Sequence, residues 1–535
     1  MASRSSGSQV RLAELVAAIS LGIDLGFGQP MEHVLRQCLI ALRLADRIGL
    51  DESRRAAVYY TALLINVGCH SDAYEQAKWF GDDFKAKAIK YDHDMDSIVG
   101  QLTGAARLLG SGNPPLRRVR VGLEFAISGH REVDGMLEHH AARARALGEQ
   151  LGLPDTVLAA LNAAYERWDG RGLPSGLKAE EMPLEARLSQ LAEYVEVAHR
   201  LGGVGAAQAL ARKRAGKQFD PRLAALIVSD GDTLLGGLDD VSSWNAVIDA
   251  EPALAVMLSP ERLDAALHAL ADFSDLKSPY TIGHSRAVAE LAARGGEQMA
   301  LSTGEVTQLR HAGLVHDFGR LGVSNAIWDK RGPLGAGEWE RVRMYPYVTE
   351  RILRQSQALA PLGAIAVQHR ERLDGTGYPR ALSGGAVSLA ARILSAADAY
   401  QAMREPRPHR DARSPEQAAS ELRGEVKAGR MDAGVVEAVL GAAGHRVQRR
   451  REGPAGLTWR EVEVLRLLAR GYSNKEIAQR LLISPKTAGN HIDHIYTKID
   501  ASTRATAAFF AMRHGLLPEE EFAQPGLAPR VAAAT

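Results

Sequence analysis

The sequence predicts an all-α protein that is divided into several domains. Apolar residues recur mostly at helical spacing, in stretches rich in Ala, Leu, Arg and Glu, and alternating patterns long enough for strands are scarce. At 535 residues the chain is too long for one hydrophobic core, which indicates roughly two to four domains. The composition, 46% hydrophobic and 24% charged, is typical of a globular protein and excludes a disordered one.

The sequence shows no recognisable targeting signal and no cysteine pattern that indicates a function. No apolar run reaches the roughly 18 residues that cross a bilayer, and the N-terminus lacks the apolar core of a signal peptide. The two cysteines, Cys38 and Cys69, provide neither a disulfide framework nor zinc-ligand spacing. We therefore expect a cytoplasmic protein without a membrane partner.

An internal repeat organises the body of the chain. Glu166-Arg-Trp-Asp-Gly-Arg-Gly-Leu-Pro174 recurs as Glu371-Arg-Leu-Asp-Gly-Thr-Gly-Tyr-Pro379, at an offset of 205 residues. A similar helical segment follows each copy at the same offset. Because a duplication explains this better than chance, we predict two related helical domains, at 10–230 and 260–445.

Local chemistry near the C-terminus predicts a helix-turn-helix. Thr458-Trp-Arg-Glu461 and Ser473-Asn-Lys-Glu476 are capping boxes that begin two helices. Ser484, followed by Pro485, begins a third. The apolar stripe of this third helix consists of Ala488, Ile492, Ile495 and Ile499.

Charge distribution indicates what this C-terminal region binds. From Arg446 to Leu517 there are 13 Lys and Arg against six Asp and Glu, a net charge of +7 in a chain whose total is +1. A basic region attached to a mildly acidic body is typical of a DNA-binding domain. The alternative is a helical interaction domain with a basic, solvated face.

The stretch from Leu457 to Leu517 resembles the LuxR/FixJ-type DNA-binding domain. It carries Leu-Thr-x-Arg-Glu-x-Glu-Val-Leu, then Gly-x-Ser-Asn-Lys-Glu-Ile-Ala, then Ile-Ser-x-Lys-Thr. The resemblance implies a four-helix domain, at 453–517 before a tail at 518–535, that binds double-stranded DNA as a homodimer with its third helix in the major groove. The DNA contacts that we expect are Lys475, Lys486, Thr487, Asn490, His491 and Lys498.

The second body domain carries side chains suited to a metal. They are His284, the doublet His316-Asp317, His369 and Asp398. Imidazole and carboxylate ligands together suit one divalent first-row metal such as iron or manganese. A single histidine is more often a satisfied or exposed side chain, so the prediction depends on the whole set.

The segment from Tyr280 to His445 resembles the HD-GYP family of HD-superfamily phosphohydrolases. It carries His-Ser-x-Arg-x-Ala, His-Asp-x-Gly, Arg-Glu-Arg-x-Asp-Gly-x-Gly-Tyr-Pro and Ala-Asp-Ala-Tyr-x-Ala in order. The resemblance implies hydrolysis of cyclic di-GMP by metal-activated water at a site with two or three metals. It also implies that the first metal is held by His284, His316, Asp317 and Asp398.

Departures from the family pattern affect the second metal. Where the family has a His-Pro pair this chain has Tyr345-Pro346, and where it has His-His-Glu this chain has His369-Arg370-Glu371. An arginine stays protonated and cannot ligate a metal. We therefore expect one metal at most, with Arg320 and Arg370 near a ligand phosphate. If the domain is active, Asp317 and Arg320 are its catalytic residues.

The first body domain lacks the corresponding ligands. Ile65-Asn66 stands at the position of the His-Asp doublet, Ala164-Tyr165-Glu166 at that of the His-His-Glu run, and Glu193 at that of the last aspartate. An insertion of about 45 residues contains His139-His140, which we expect to be solvated. We predict a non-catalytic HD-like domain used for packing, dimerisation or ligand sensing.

Together these features predict a DNA-binding, nucleoid-associated transcription regulator. Its two HD-like helical domains, followed by the four-helix domain, would sense a metal or a nucleotide second messenger. An active metal-dependent phosphohydrolase that carries a DNA-binding domain is the alternative from another class. A scaffold without any ligand is the third.

Overall fold

The computed structural model describes residues 10–92, 108–111, 114–129, 136–252, 256–446, 454–481 and 483–517. Within these residues the chain is helical and shows only isolated β-bridges, which confirms the all-α prediction. None of the helices described there is long and apolar enough to cross a membrane. The chain forms two compact units, residues 1–446 and 447–535.

The larger unit contains two successive sets of helices. We call residues 10–252 the first segment and residues 256–446 the second segment. The helices of the first segment are α1 (Leu12–Gly26), α2 (His33–Arg47), α3 (Glu52–Leu64), α4 (Ala73–Phe80), α5 (Asp83–Asp92), α6 (Pro115–Glu124), α7 (Met136–Gln150), α8 (Asp155–Asn162), α9 (Leu184–Arg214), α10 (Pro221–Leu235) and α11 (Ser243–Asp249). Those of the second segment are α12 (Pro260–Asp275), α13 (His284–Gln298), α14 (Thr303–Val315), α15 (Asn325–Trp328), α16 (Ala336–Leu353), α17 (Ala360–Ala366), α18 (Leu389–Arg404), α19 (Pro415–Lys427) and α20 (Ala433–Ala442).

The two segments share local geometry near their first helices. His33 and His284 each begin a helix directly after a residue with positive φ, 82° at Glu32 and 78° at Gly283. Just upstream of each histidine, a buried aspartate accepts a hydrogen bond from the backbone N–H ten residues further along the chain. These aspartates are Asp24 and Asp275.

The repeated peptides also adopt one geometry. The carboxylate of Glu166 accepts hydrogen bonds from the backbone N–H groups of Ser175 and Leu177, nine and eleven residues further on. Glu371 accepts the equivalent pair from residues at the same two separations. In each copy the buried glutamate therefore holds the glycine-rich loop closed.

One hydrophobic core extends through both segments. Helix α1 of the first segment packs against the short 3₁₀ turn Phe318–Gly322 of the second. A Cβ atom at Gly22 would lie 2.4 Å from Cζ of Phe318, so only glycine allows this approach. One core cluster therefore contains residues from both sides of the predicted division between 230 and 260, while a second cluster lies within the second segment.

The described part of the smaller unit contains four α-helices, the number that the sequence predicts. They are α21 (Trp459–Ala469), α22 (Asn474–Leu481), α23 (Pro485–Ile499) and α24 (Arg504–Arg513). Reciprocal hydrogen bonds confirm both capping boxes, and Ser484 caps α23 through the N–H of Thr487. The stripe Ala488, Ile492 and Ile495 is buried, with Ile499 half-buried beside it. The linker residues 447–453 and the tail 518–535 lie outside the described residues.

Candidate metal centre and nucleic-acid interface

The five predicted metal-binding side chains meet at one buried place in the second segment. His284 begins α13, His316 and Asp317 follow the end of α14, His369 follows α17, and Asp398 lies within α18. Each of the five is at most 2% exposed. Since α14 ends at Val315, the adjacent His316 and Asp317 leave the regular helix and reach the same point.

The distances within this cluster suit a small cation. Nε2 of His284 lies 3.3 Å from Oδ1 of Asp398 and 3.8 Å from Oδ2 of Asp317. The ligand atoms of His284, His316 and Asp317 all lie within 4.8 Å of one another. Nε2 of both histidines and Oδ1 of Asp317 are buried without a hydrogen-bond partner. Buried polar atoms that converge without partners fit a divalent metal ion.

The other ring nitrogen of each histidine is fixed by the protein. Nδ1 of His316 lies 2.7 Å from the carbonyl oxygen of Gly313, and Nδ1 of His284 lies 2.8 Å from Oε2 of Glu405. Such partners set the orientation of the ring and leave Nε2 for the metal. Glu405, which is 121 residues from His284 in the chain, is a functional neighbour that the sequence analysis missed.

The charge state of the cluster suits metal binding by the carboxylates. Burial alone would raise the pKa of Asp317, but the positive charges of His316, Arg320 and His284 hold it far below its usual range. Burial lowers the pKa of His284, yet the carboxylates of Asp398 and Glu405 outweigh this and raise it to about 9. Asp317 is therefore ionised, as a carboxylate must be to ligate a metal.

Tyr345 and Arg370, the two departures from the family pattern, contact each other. The Tyr345 hydroxyl lies 2.7 Å from Nε2 of His369 and accepts a hydrogen bond from Nε of Arg370 at 2.7 Å. The Arg370 guanidinium also pairs with Asp398, 3.1 Å from its Oδ2. Burial and the charges of His316 and Arg370 lower the pKa of His369 to about 3. His369 is therefore neutral, and its Nε2 accepts a hydrogen bond from the Tyr345 hydroxyl. The Nε2 atoms of His284 and His316 have no such partner.

Arg320 is held against the doublet. Its guanidinium lies 2.7 Å from Oδ2 of Asp317 and stacks 4.2 Å from the ring centre of Trp328. Stacking on an aromatic face fixes the guanidinium plane and keeps the positive charge beside the cluster.

The corresponding place in the first segment is filled by the protein's own side chains. The hydroxyl of Tyr91, from α5, donates a hydrogen bond to Glu193 at 2.6 Å. His33 forms a buried ion pair with Glu196. Asn66 precedes the 3₁₀ turn Val67–His70, just as Asp317 precedes the turn of the second segment. Among the described residues, only His284, His316 and Asp317 form a group of three or more side chains able to hold a metal.

The prediction that both side chains of His139-His140 are solvated is confirmed for His139 and wrong for His140. His139 is exposed, but His140 is 3% exposed and its Nε2 lies 2.6 Å from Oδ2 of Asp72. Adjacent residues on α7 point about 100° apart, so that one ring faces solvent while the other enters the core.

The predicted DNA contacts lie on α22 and α23 of the smaller unit. Lys475, Lys486, Thr487 and Asn490 are exposed, and His491 is half-buried. Lys498 is engaged within the unit, since its Nζ donates to Oε2 of Glu461 at 2.7 Å and to the carbonyl oxygen of Gly456 at 3.0 Å. This contact joins α23, the helix predicted to enter the major groove, to the capping box that begins α21.

The all-α fold, the buried His-Asp cluster and the helix-turn-helix unit define a helical protein that joins a candidate metal centre to a DNA-binding domain. The HD domain family matches residues 130–223 and 268–435, and the luxR family of bacterial regulatory proteins matches residues 455–511. The chain belongs to the HD-domain family and carries a luxR-type DNA-binding domain.

Several relatives are phosphodiesterases. The 3'3'-cGAMP-specific phosphodiesterase 3 of Vibrio cholerae is 31% identical over 404 residues, which are 75% of this chain and 88% of that protein. A cyclic di-GMP phosphodiesterase of Thermotoga maritima is 34% identical over 158 residues, 29% of this chain and 42% of that protein. The crystal structure of a cyclic GMP-AMP specific phosphodiesterase of V. cholerae superposes with a TM-score of 0.57 at 25% identity, over 82% of this chain and 99% of that one.

Proposed function

We propose that this protein is a transcription regulator whose second segment binds a nucleotide at a centre with one metal and does not hydrolyse it rapidly. The observation that carries this proposal is the contact of Arg370 with Tyr345 and Asp398. By resemblance, a second metal would need histidines at both departing positions. A phenol and a protonated guanidinium occupy them here, and the guanidinium supplies a fixed positive charge instead.

A single divalent ion such as iron or manganese fits the remaining ligands. His284, His316, Asp317 and Asp398 would hold it, because three of them present unpartnered buried atoms and Asp398 lies beside two of those atoms. When bound, such an ion supplies a Lewis acid that attracts a phosphate oxygen. His369 takes part only if Tyr345 releases its Nε2.

Arg320 and Arg370 would bind the phosphates of the nucleotide. Both are permanently charged, and the guanidinium of Arg320 pairs with Asp317 while that of Arg370 pairs with Asp398. Held by those carboxylates, they can orient a phosphate without activating a water molecule. A nucleotide second messenger, such as a cyclic dinucleotide, has the required phosphodiester chemistry.

We infer that the first segment is a degenerate duplicate of the second. The shared glutamate-held loops and the matching histidine-led helices support this origin. Tyr91 and Glu193 occupy its central position, and its described residues include no group of three side chains able to hold a metal. Domain boundaries at 10–230 and 260–445 remain part of this proposal.

DNA binding by a homodimer would be the output. Lys475, Lys486, Thr487, Asn490 and His491 are the side chains that we propose for the duplex, and Lys498 supports their helix through Glu461. Since phosphate contacts dominate such binding, it should weaken steeply with added salt. The protein would then act in the cytoplasm at the nucleoid, and ligand binding would shift its DNA-bound population.

A second candidate function is slow phosphohydrolysis. Two observations favour it: His284, His316 and Asp317 form a group able to hold a metal with Asp398 beside two of them, and the relative from Vibrio cholerae is a 3'3'-cGAMP-specific phosphodiesterase. In that case Asp317 would hold the metal and Arg320 would stabilise the phosphate during reaction.

The test uses full-length protein, Mn²⁺ and a fluorescent duplex of mixed sequence at low salt. The proposal expects retention of the duplex, a change in its apparent Kd when cyclic di-GMP or 3'3'-cGAMP is added, and intact nucleotide after incubation. K486E should abolish retention. Rapid loss of the nucleotide without any effect on DNA binding would favour the enzyme. No effect of metal or nucleotide on either Kd or Tm would favour a scaffold.

A further inference from the structure

A buried carboxylate of the first segment reaches the loops that carry the metal ligands of the second. Asp83, the first residue of α5, is fully buried. Its Oδ1 accepts hydrogen bonds from the hydroxyl of Ser324 at 2.5 Å and from the backbone N–H of Asn325 at 3.0 Å. Its Oδ2 lies 3.3 Å from Nζ of Lys277. All three partners belong to the second segment.

These partners flank the candidate metal ligands on both sides. Lys277 precedes His284 by seven residues, and Ser324 follows Asp317 by seven residues. The two loops are also joined directly, since the side-chain amide of Asn325 donates to the carbonyl oxygen of Lys277 at 2.7 Å. Asp83 therefore fixes the spacing between the loop that leads into His284 and the loop that leaves Asp317.

The carboxylate of Asp83 is the counter-charge of two buried lysine side chains. Lys277 is 4% exposed, and Lys87, on the next turn of α5, is 6% exposed with its Nζ 3.6 Å from Oδ2 of Asp83. Nζ of Lys87 also donates to the carbonyl oxygen of Gly26 at 2.7 Å. Two buried ammonium groups thus share one carboxylate, and neutralising that carboxylate would remove the counter-charge of both ion pairs.

Helix α5 connects this contact with the closed position of the first segment. Its N-terminal residue is Asp83, and its Tyr91 fills the place beside Glu193. Both ends of the helix are therefore anchored by buried polar contacts, one in each segment. Helix α5 therefore joins the central position of the first segment to the two loops that flank the candidate metal ligands of the second.

We propose that Asp83 is a positioning residue for the metal centre of the second segment. The degenerate first segment supplies it, and through Ser324, Asn325 and Lys277 it holds His284 and Asp317 at metal-binding distance. The inference rests on the proposed one-metal centre, because it concerns the affinity of that centre.

The experiment compares Mn²⁺ affinity, by calorimetric titration, with thermal stability in full-length variants. D83N keeps the size of the side chain and removes its charge. It should raise the Kd for Mn²⁺ by up to about tenfold, the lower end of the effect of removing a direct partner of a ligand, because Asp83 acts through two loops. S324A removes one hydroxyl and should raise the Kd by a smaller factor.

The matched control is D220N. Asp220 forms a buried ion pair with Arg187 within the first segment, Oδ2 to NH1 2.7 Å, away from these loops. D220N should lower the Tm while the Kd for Mn²⁺ stays at the wild-type value. This separates a loss of stability from a loss of ligand positioning.

Three outcomes decide the question. A wild-type Kd in folded D83N overturns the inference alone. If D83N does not fold, an unchanged Kd in S324A overturns it. If the wild-type protein binds no Mn²⁺, the proposed one-metal centre itself is wrong.

Discussion

Replacing Arg370 by methionine removes the positive charge that, in this account, takes the place of a second metal. The guanidinium lies 3.1 Å from Oδ2 of Asp398, a distance at which two unit charges attract by about 5 kcal/mol at an effective dielectric constant of about 20. Desolvation offsets part of this attraction. The Arg370 side chain is 22% exposed but that of Asp398 only 1%, so the variant leaves a buried carboxylate poorly compensated. We expect a loss of about 3 kcal/mol.

For a chain of 535 residues such a loss corresponds to a fall in Tm of about 3 °C. Because the guanidinium no longer competes with a cation for Asp398, Mn²⁺ should bind R370M more tightly and raise its Tm further than it raises the wild-type Tm. Scanning calorimetry of both proteins, with and without Mn²⁺, measures both effects.

R392M provides the matched control. Arg392 pairs with Asp432 at the same distance, 3.1 Å, and its side chain is 23% exposed, but that of Asp432 is 31% exposed and lies outside the cluster. Arg392 also donates to the carbonyl oxygens of Val387 and Gly384, so R392M should cost some stability but less than R370M, and its response to Mn²⁺ should match that of the wild type. Equal losses in R370M and R392M, or equal responses to Mn²⁺ in R370M and wild type, would refute the reasoning.

Three further predictions concern other parts of the molecule. Y345H/R370H restores both missing imidazoles and should raise the metal content, measured by elemental analysis, from one to two ions per chain; an unchanged content would contradict the assignment of these positions. The neighbouring Cys69 and Asp72, acting against burial, raise the pKa of His140 from 6.5 to about 9. The stability from this raised pKa is present below pH 6.5 and is lost as the pH rises towards 9, so the fall in Tm over that window should be smaller in H140Q; identical slopes would contradict it. K498M removes the contact with Glu461 and should lower the Tm of the DNA-binding unit, whereas exposed Lys486 can be changed to methionine with loss of DNA affinity only; equal Tm values for the two variants would contradict this difference.

The sequence predicted the features that depend on local chemistry. Both capping boxes, the start of α23 and its buried stripe need only neighbouring residues, and the structure confirms them. The five candidate metal ligands could also be named, because each lies in a short motif with a fixed register. Their role in binding a metal stays a prediction.

Contacts between distant residues could not be predicted in the same way. Glu405 reaches His284 across 121 residues, and Asp83 reaches Ser324 across 241. Lys498 contacts Glu461, 37 residues earlier, which its spacing on the helix did not indicate, and its role as a DNA contact stays a prediction. In each pair the two side chains meet only because the folded chain brings distant segments together, and no short sequence pattern indicates such a pairing.

Metal content together with turnover tests the central claim most directly. Full-length protein purified with manganese or iron in excess should hold one ion per chain and should leave cyclic di-GMP and 3'3'-cGAMP intact over hours. Two ions per chain with steady release of a linear dinucleotide would show that Tyr345 and Arg370 do not exclude the second metal, and would contradict the account.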